Sequence, residues 1–218
     1  MTQLVRNAYR FAVTLLCTIL IAVAAILVGA AFALADEPPL SGPIVEIITN
    51  PATGAHGSGV HVGGGMIVTA AHVVGDLPRV TIRTDAAEQP DLEARVVIYD
   101  RLTDLAVVRV ESAEGIGETD IDCEPVTVGA EVRAIGYPMS IGYVVTWGRI
   151  AGAPRAFGRW ASVFPIDITV IDGMSGGAVL NAEGAVVAVT LGLVWPNGVP
   201  STMTMAVPSA EVCRLLRR

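Results

Sequence analysis

From residue 44 to residue 207 the chain keeps switching between short runs rich in valine, isoleucine and threonine and turns built on glycine, proline, asparagine or aspartate. Strand-length runs with turn signals this frequent fit an all-β barrel arrangement and not a helical bundle. A content of 23 Gly and 13 Pro with only 5% aromatic residues points the same way. Residues 44–49, 60–62, 66–69, 80–83, 94–99 and 105–110 read as one set of strands, with a hairpin across Gly63-Gly64-Gly65 and a short helical turn over 70–74. A second set follows at 131–135, 143–150, 162–166, 178–181, 185–193 and 203–207. Between the sets, the acidic, glycine-containing stretch 111–125 reads as a surface connection. Ser209 is placed to cap a last short helix over 210–216, with Arg217 and Arg218 at its C-terminal end.

Ahead of the strands lies a different kind of segment. Arg6 and Arg10 precede an uncharged apolar run over residues 11–35, which Asp36-Glu37-Pro38-Pro39 ends. As a helix of about 25 residues it would be roughly 37 Å long, enough to cross a hydrocarbon core of about 30 Å. Arginine before the run and acids after it put the N-terminus in the cytoplasm and the rest outside. Ala33-Leu34-Ala35 has the small-x-small form of a signal-peptide cleavage site, while the length of the run favours an uncleaved anchor. Both fates predict work outside the cytoplasm.

Within the strand-rich part, Asp172-Gly173-Met174-Ser175-Gly176-Gly177 sets a hydroxyl among glycines. Such a turn can expose the serine and aim the N–H groups of Gly173 and Ser175 at one point, as an oxyanion hole requires. Alone, the segment reads equally well as an ordinary glycine turn. Two upstream stretches change that. Val68-Thr69-Ala70-Ala71-His72-Val73 and Thr103-Asp104-Leu105-Ala106 put one histidine and one aspartate at the edges of apolar strands. A serine needs a base to take its proton, and the base needs a carboxylate to fix its tautomer. His72, Asp104 and Ser175 supply the three roles; Asp100 is the competing acid, but it sits in a Tyr-Asp-Arg turn and not at the opening of a buried strand.

These motifs resemble the trypsin-like serine proteases, and among them the bacterial high-temperature-requirement branch. The resemblance extends over Gly57-Ser58-Gly59-Val60, Ala134-Ile135-Gly136-Tyr137-Pro138, Val145-Thr146-Trp147-Gly148-Arg149-Ile150 and Ala206-Val207-Pro208-Ser209. It implies a chymotrypsin-like pair of six-stranded antiparallel β-barrels with a short C-terminal helix, preceded here by the N-terminal apolar helix. The division expected is 1–35 signal peptide or anchor, 36–43 linker, 44–116 first barrel, 117–125 connection, 126–207 second barrel and 208–218 helix. It also implies a disulfide between Cys123 in the connection and Cys213 in the helix. A primary substrate pocket is implied at Thr169 and Asp172, with a wall and a strand-like edge from Thr190, Leu191 and Gly192. Thr169 brings no carboxylate, so small or medium apolar side chains are expected before the cut, with Asp172 at the rim.

The chain departs from that family at informative places. Met174 stands where trypsin carries an acid that pairs with a newly cut N-terminus, and no Ile/Val-Val-Gly-Gly start is present. Activation by N-terminal insertion is therefore not expected, and other packing must hold the oxyanion loop. No PDZ domain is expected within the 218 residues. His56 and His61 read as surface histidines and not as a metal pair, and neither a metal nor an organic cofactor is implied. With a net charge of -7 and no lysine, the chain offers no broad basic face, which argues against nucleic acid as a partner. The expected partners are peptides or unfolded proteins, and a membrane if the N-terminal run is retained. The reading is a serine endopeptidase. The alternative is a catalytically silent relative that binds extended peptides or scaffolds a complex.

Overall fold

The computed structural model describes residues 42–85, 90–193 and 203–217, together with Gln3, Arg10, Val13 and 17–19. Residues 1–39 and 40–218 form separate units. The expected apolar helix over 11–35 therefore lies almost wholly outside the described residues; Val13 and 17–19 within it are helical. Among the described residues no helix is long and apolar enough to cross a membrane.

Six strands, β1 (Ile44–Asn50), β2 (Ala55–His61), β3 (Met66–Ala70), β4 (Arg79–Arg83), β5 (Leu92–Asp100) and β6 (Leu105–Val110), close into an antiparallel barrel in the order β1-β2-β3-β6-β5-β4. The Gly63-Gly64-Gly65 turn closes the β2–β3 hairpin, in which Gly59 faces Thr69 across the ladder. A short helix, α1 (Ala71–Val74), follows β3 directly.

The second set of strands forms a single sheet: β7 (Glu131–Gly136), β8 (Val144–Arg149), β9 (Arg155–Phe157), β10 (Trp160–Ile166), β11 (Ala178–Leu180), β12 (Val186–Leu193) and β13 (Thr204–Pro208), in the order β8-β7-β11-β12-β13-β10-β9. It has seven strands where six were expected, and it curls without forming a continuous closed ladder. Among the described residues its two sides are bridged where Ile150 pairs with Ile166, beside hydrogen bonds from Ala151 N–H to Pro165 O (2.9 Å) and from Asp167 N–H to Arg149 O (3.0 Å). The extra strand is β9, whose three residues are all exposed and so carry no hydrophobic alternation to read. A tight turn through Gly158, at φ +56°, folds it onto β10 and pairs Phe157 with Trp160.

Each sheet has its own buried cluster, and a third joins the two. Val60, Val68, Leu105 and Val107 of the barrel pack in one buried cluster with Ile135, Ala178, Val189 and Val207 of the curled sheet. That shared layer fixes the position of the β3–α1 corner and the β5–β6 turn relative to the loop before β11. Cys123, in the connection between sheets, is disulfide-bonded to Cys213 of the last helix, α2 (Ser209–Leu216). Ser209 does not cap that helix. It is the first helical residue, and its hydroxyl donates to Asp122 O, tying the helix to the same connection.

Candidate active site

His72 is the second residue of α1, which starts where β3 ends, and Ala71 N–H donates to Asp104 O at 2.9 Å. The side chain of Asp104 then meets His72 twice: Oδ1 accepts the backbone N–H of His72 at 2.9 Å, and Oδ2 lies 3.0 Å from His72 Nδ1. Asp104 itself is strained, with φ +57° in a region a non-glycine residue rarely occupies. Strain of this kind costs of order 1–3 kcal/mol and persists only where the surroundings enforce it. Asp100 does different work, since its Oδ1 accepts the N–H groups of Leu102 (3.0 Å) and Thr103 (3.3 Å) within the β5–β6 turn.

The Asp104 carboxylate is 4% exposed. Burial pushes its pKa up, but the hydrogen bond and charge of His72, with further donors from Trp160 and the His72 backbone, prevail and hold it below the usual carboxylate value. The arrangement keeps an anion beside the imidazole nitrogen that faces away from solvent, as orientation and stabilisation of an imidazolium require.

Ser175 comes from the other sheet, in the loop that leads into β11. Its hydroxyl donates to Leu191 O at 2.8 Å. Among the described residues no hydrogen bond joins it to His72, so the imidazole and its carboxylate partner are assembled while the hydroxyl is turned toward β12. Gly173 and Ser175 keep their N–H groups without acceptors among the described residues. Asp172 O accepts Met139 N–H at 2.9 Å, which turns the N–H of Gly173 to the opposite side of that peptide plane. Gly173 has φ +98°, and a Cβ there would lie 2.3 Å from Tyr137 O and 2.5 Å from His56 Nε2, so only glycine fits.

The glycine loop around Ser175 is held without an ion pair at position 174. Met174 is 1% exposed and packs in the core of the curled sheet, a burial worth about 1.5–3 kcal/mol. Thr190 Oγ1 donates to Met174 O (2.6 Å) and approaches Gly177 O (3.2 Å), while Gly176 N–H donates to Thr190 O (2.8 Å). Among the residues expected at a substrate pocket, Thr169 and Asp172 are exposed and Gly192 is half-buried. Thr190 turns inward and braces the loop, while Leu191 presents the carbonyl that Ser175 occupies.

Three neighbours of the site carried no functional reading in the sequence. Ser58, 0% exposed, donates from Oγ to Gly173 O (2.7 Å) and accepts Tyr137 N–H (2.9 Å). His56 is not a surface histidine. Its Nδ1 lies 2.8 Å from Gly54 O and its Nε2 3.1 Å from Tyr137 O, so a backbone carbonyl faces each nitrogen. His56 is half-buried, whereas His61 is fully buried, with Nδ1 2.8 Å from Gly117 O. Among the described residues no group of three or more metal-ligating side chains occurs. The third neighbour is Trp160, whose indole N–H donates to Asp104 Oδ2 at 2.9 Å. The glycines on either side of Ser58 are the one local signal that could have marked a close approach there; nothing local marks Trp160.

A family model described as a trypsin-like peptidase domain matches residues 57–189. A probable periplasmic serine endoprotease, DegP-like, of Rhizobium meliloti is 34% identical over 161 residues, covering 72% of this chain and 31% of that protein. A probable periplasmic serine protease, do/HhoA-like, of Haemophilus influenzae is 27% identical over 169 residues, covering 74% of this chain and 36% of that protein. The chain thus spans about a third of the length of the curated relatives it matches. Among solved structures, an inactive form of the Rv3671c protease superposes with a TM-score of 0.69 at 26% identity, over 82% of this chain and 89% of that one. The serine endoprotease from Yersinia pestis gives a TM-score of 0.68 at 28% identity, over 80% of this chain and 61% of that one.

Proposed function

From the chain's membership of the trypsin-like peptidase family, to which it belongs by the match over 57–189, we infer that it is a serine endopeptidase acting outside the cytoplasm. His72 is the general base, Asp104 orients it and stabilises its imidazolium, and Ser175 is the nucleophile. The observation that carries this reading is the doubly hydrogen-bonded His72–Asp104 pair, together with a glycine loop whose Gly173 and Ser175 N–H groups have no acceptor among the described residues.

In the proposed reaction an extended peptide lies along the Leu191–Gly192 edge of β12, adding to the sheet as a strand. Ser175 rotates from Leu191 O toward His72 Nε2 and attacks the scissile carbonyl as its proton passes to the imidazole. The developing oxyanion takes the Gly173 and Ser175 N–H groups. The imidazolium then gives its proton to the leaving amine, and water repeats the sequence on the acyl-enzyme. No metal or organic cofactor enters. Thr169 and Asp172 flank the primary pocket, which suits small or medium apolar side chains. Substrates are peptides or unfolded proteins.

Export is supported by the N-terminal apolar run, by the Cys123–Cys213 disulfide, a bond typical of oxidising compartments, and by the periplasmic descriptions of the relatives. A second reading, a silent peptide-binding relative, draws on one observation: the Ser175 hydroxyl engages Leu191 O and not His72. Turnover of extended fluorogenic peptides separates the two. The endopeptidase cleaves them and Ser175→Ala does not, whereas a silent relative binds such peptides with no cleavage by either protein.

A further inference from the structure

The geometry points to Trp160 as a positioning residue for the His72–Asp104 pair: its indole N–H, delivered from the curled sheet, fixes the carboxylate that orients the imidazole. This rests on the endopeptidase reading and adds a residue to its machinery. A carboxylate held only by His72 receives both its donors, the backbone N–H and Nδ1–H, from a single residue. Two bonds to one neighbour leave the acid free to tilt together with that neighbour. A third donor on Oδ2 from a different sheet removes that freedom, and Trp160 Nε1 at 2.9 Å supplies it.

The surroundings of Trp160 aim that N–H. Phe157, its cross-strand partner in the β9–β10 hairpin, stacks on the indole with ring centroids 6.4 Å apart and planes 17° from parallel. The Arg159 guanidinium lies 5.4 Å from the indole centroid and reaches Asp104 Oδ2 at 3.5 Å. Being 70% exposed, Arg159 contributes little as an ion pair and more as a clamp on the ring. Ala161 N–H donates to Leu102 O at 3.3 Å, so a backbone bond also ties the start of β10 to the turn that carries Asp104. Loop and acid are therefore linked twice. The extra strand β9 has a consequence for chemistry, because it holds the indole against the acid. Trp160 itself neither gains nor loses a proton: the serine proton goes to His72 and on to the leaving amine.

The test is a double-mutant cycle on the full 218-residue chain, with Trp160→Phe, Asp104→Asn and the pair. Phenylalanine keeps an aromatic ring for Phe157 and Arg159 while removing the N–H donor together with the five-membered ring that carries it. A hydrogen bond to a charged group supports a loss of about tenfold to a hundredfold in kcat/KM for Trp160→Phe, carried by kcat with KM nearly unchanged. In the Asp104→Asn background the same substitution should cost less than about twofold, because the partner it acts on has gone. Equal losses in both backgrounds, or no loss in the parent, overturn the assignment. A second readout does not need turnover. The low-field Nδ1 proton of His72 in the 1H NMR spectrum moves in Trp160→Phe if the indole tunes the pair, and an unchanged resonance overturns the assignment. A folded parent that cleaves nothing defeats the endopeptidase reading instead, and the resonance still decides Trp160.

Discussion

Ser58→Ala is the sharpest structural perturbation available near the site, because it deletes one oxygen from a place that is 0% exposed and leaves two partners stranded. Gly173 O loses its 2.7 Å donor and Tyr137 N–H loses its 2.9 Å acceptor, and water cannot reach either. Each lost bond is worth about 1 kcal/mol net, and stranding a buried group raises the cost, so the sum is about 2–4 kcal/mol. For a chain of this size each kcal/mol moves the melting temperature by about 2–4 °C, giving a fall of about 5–15 °C. The change also frees the Gly173 carbonyl, so the peptide that sets the oxyanion amide is no longer fixed. Thermal unfolding by circular dichroism reads the first effect, and the rate of serine-directed labelling reads the second. A variant that melts with the parent and labels at the parental rate would show that Ser58 does not brace the loop.

Two further outcomes follow from the same contacts. The Cys123–Cys213 bond closes a loop of sequence separation 90, so reduction, or replacement of both by serine, should cost about 2–4 kcal/mol; urea unfolding with and without reductant measures it, and coincident midpoints would contradict the prediction. The native Asp104 carboxyl is held below its unfolded value of about 3.9, so between the two values the unfolded chain binds more protons and stability rises with pH. On acidification that contribution is lost below about pH 4 as the native carboxyl protonates. Asp104→Asn should flatten the acid limb of a stability–pH profile, and a limb as steep as the parent's would refute it.

What the sequence revealed and what it concealed divide along physical lines. Strand runs such as 105–110 and 185–193 were legible because β-branched residues on buried strands leave a strong local pattern, and β6 and β12 lie there. Ser175, His72 and Asp104 stood out as candidates because each sits in a short stretch of glycines or at a strand edge, where a side chain is readily exposed to chemistry. Asp104 was preferred to Asp100 because it opens a buried apolar strand, and the hydrogen bonds agree: Asp100 accepts N–H groups within its own turn while Asp104 meets His72. Strand β9 was missed because an exposed three-residue strand has no apolar side to alternate. His56 was misread as a surface residue because the partner of its Nε2 is the backbone carbonyl of Tyr137, 81 positions away. Trp160 was invisible for the same reason, being 56 positions from the acid it touches. Met174 was read as a lost ion pair; its burial shows the replacement, a hydrophobic anchor in the same loop.

The central claim is that His72, oriented by Asp104, makes the Ser175 hydroxyl a nucleophile. Mapping the adduct of a fluorophosphonate by intact mass and peptide sequencing tests it most directly. The account predicts a single adduct on the peptide that carries Ser175, none in Ser175→Ala, and labelling slowed by orders of magnitude in His72→Ala. A folded parent that takes up no probe, or that labels elsewhere at a rate His72→Ala leaves unchanged, would contradict it.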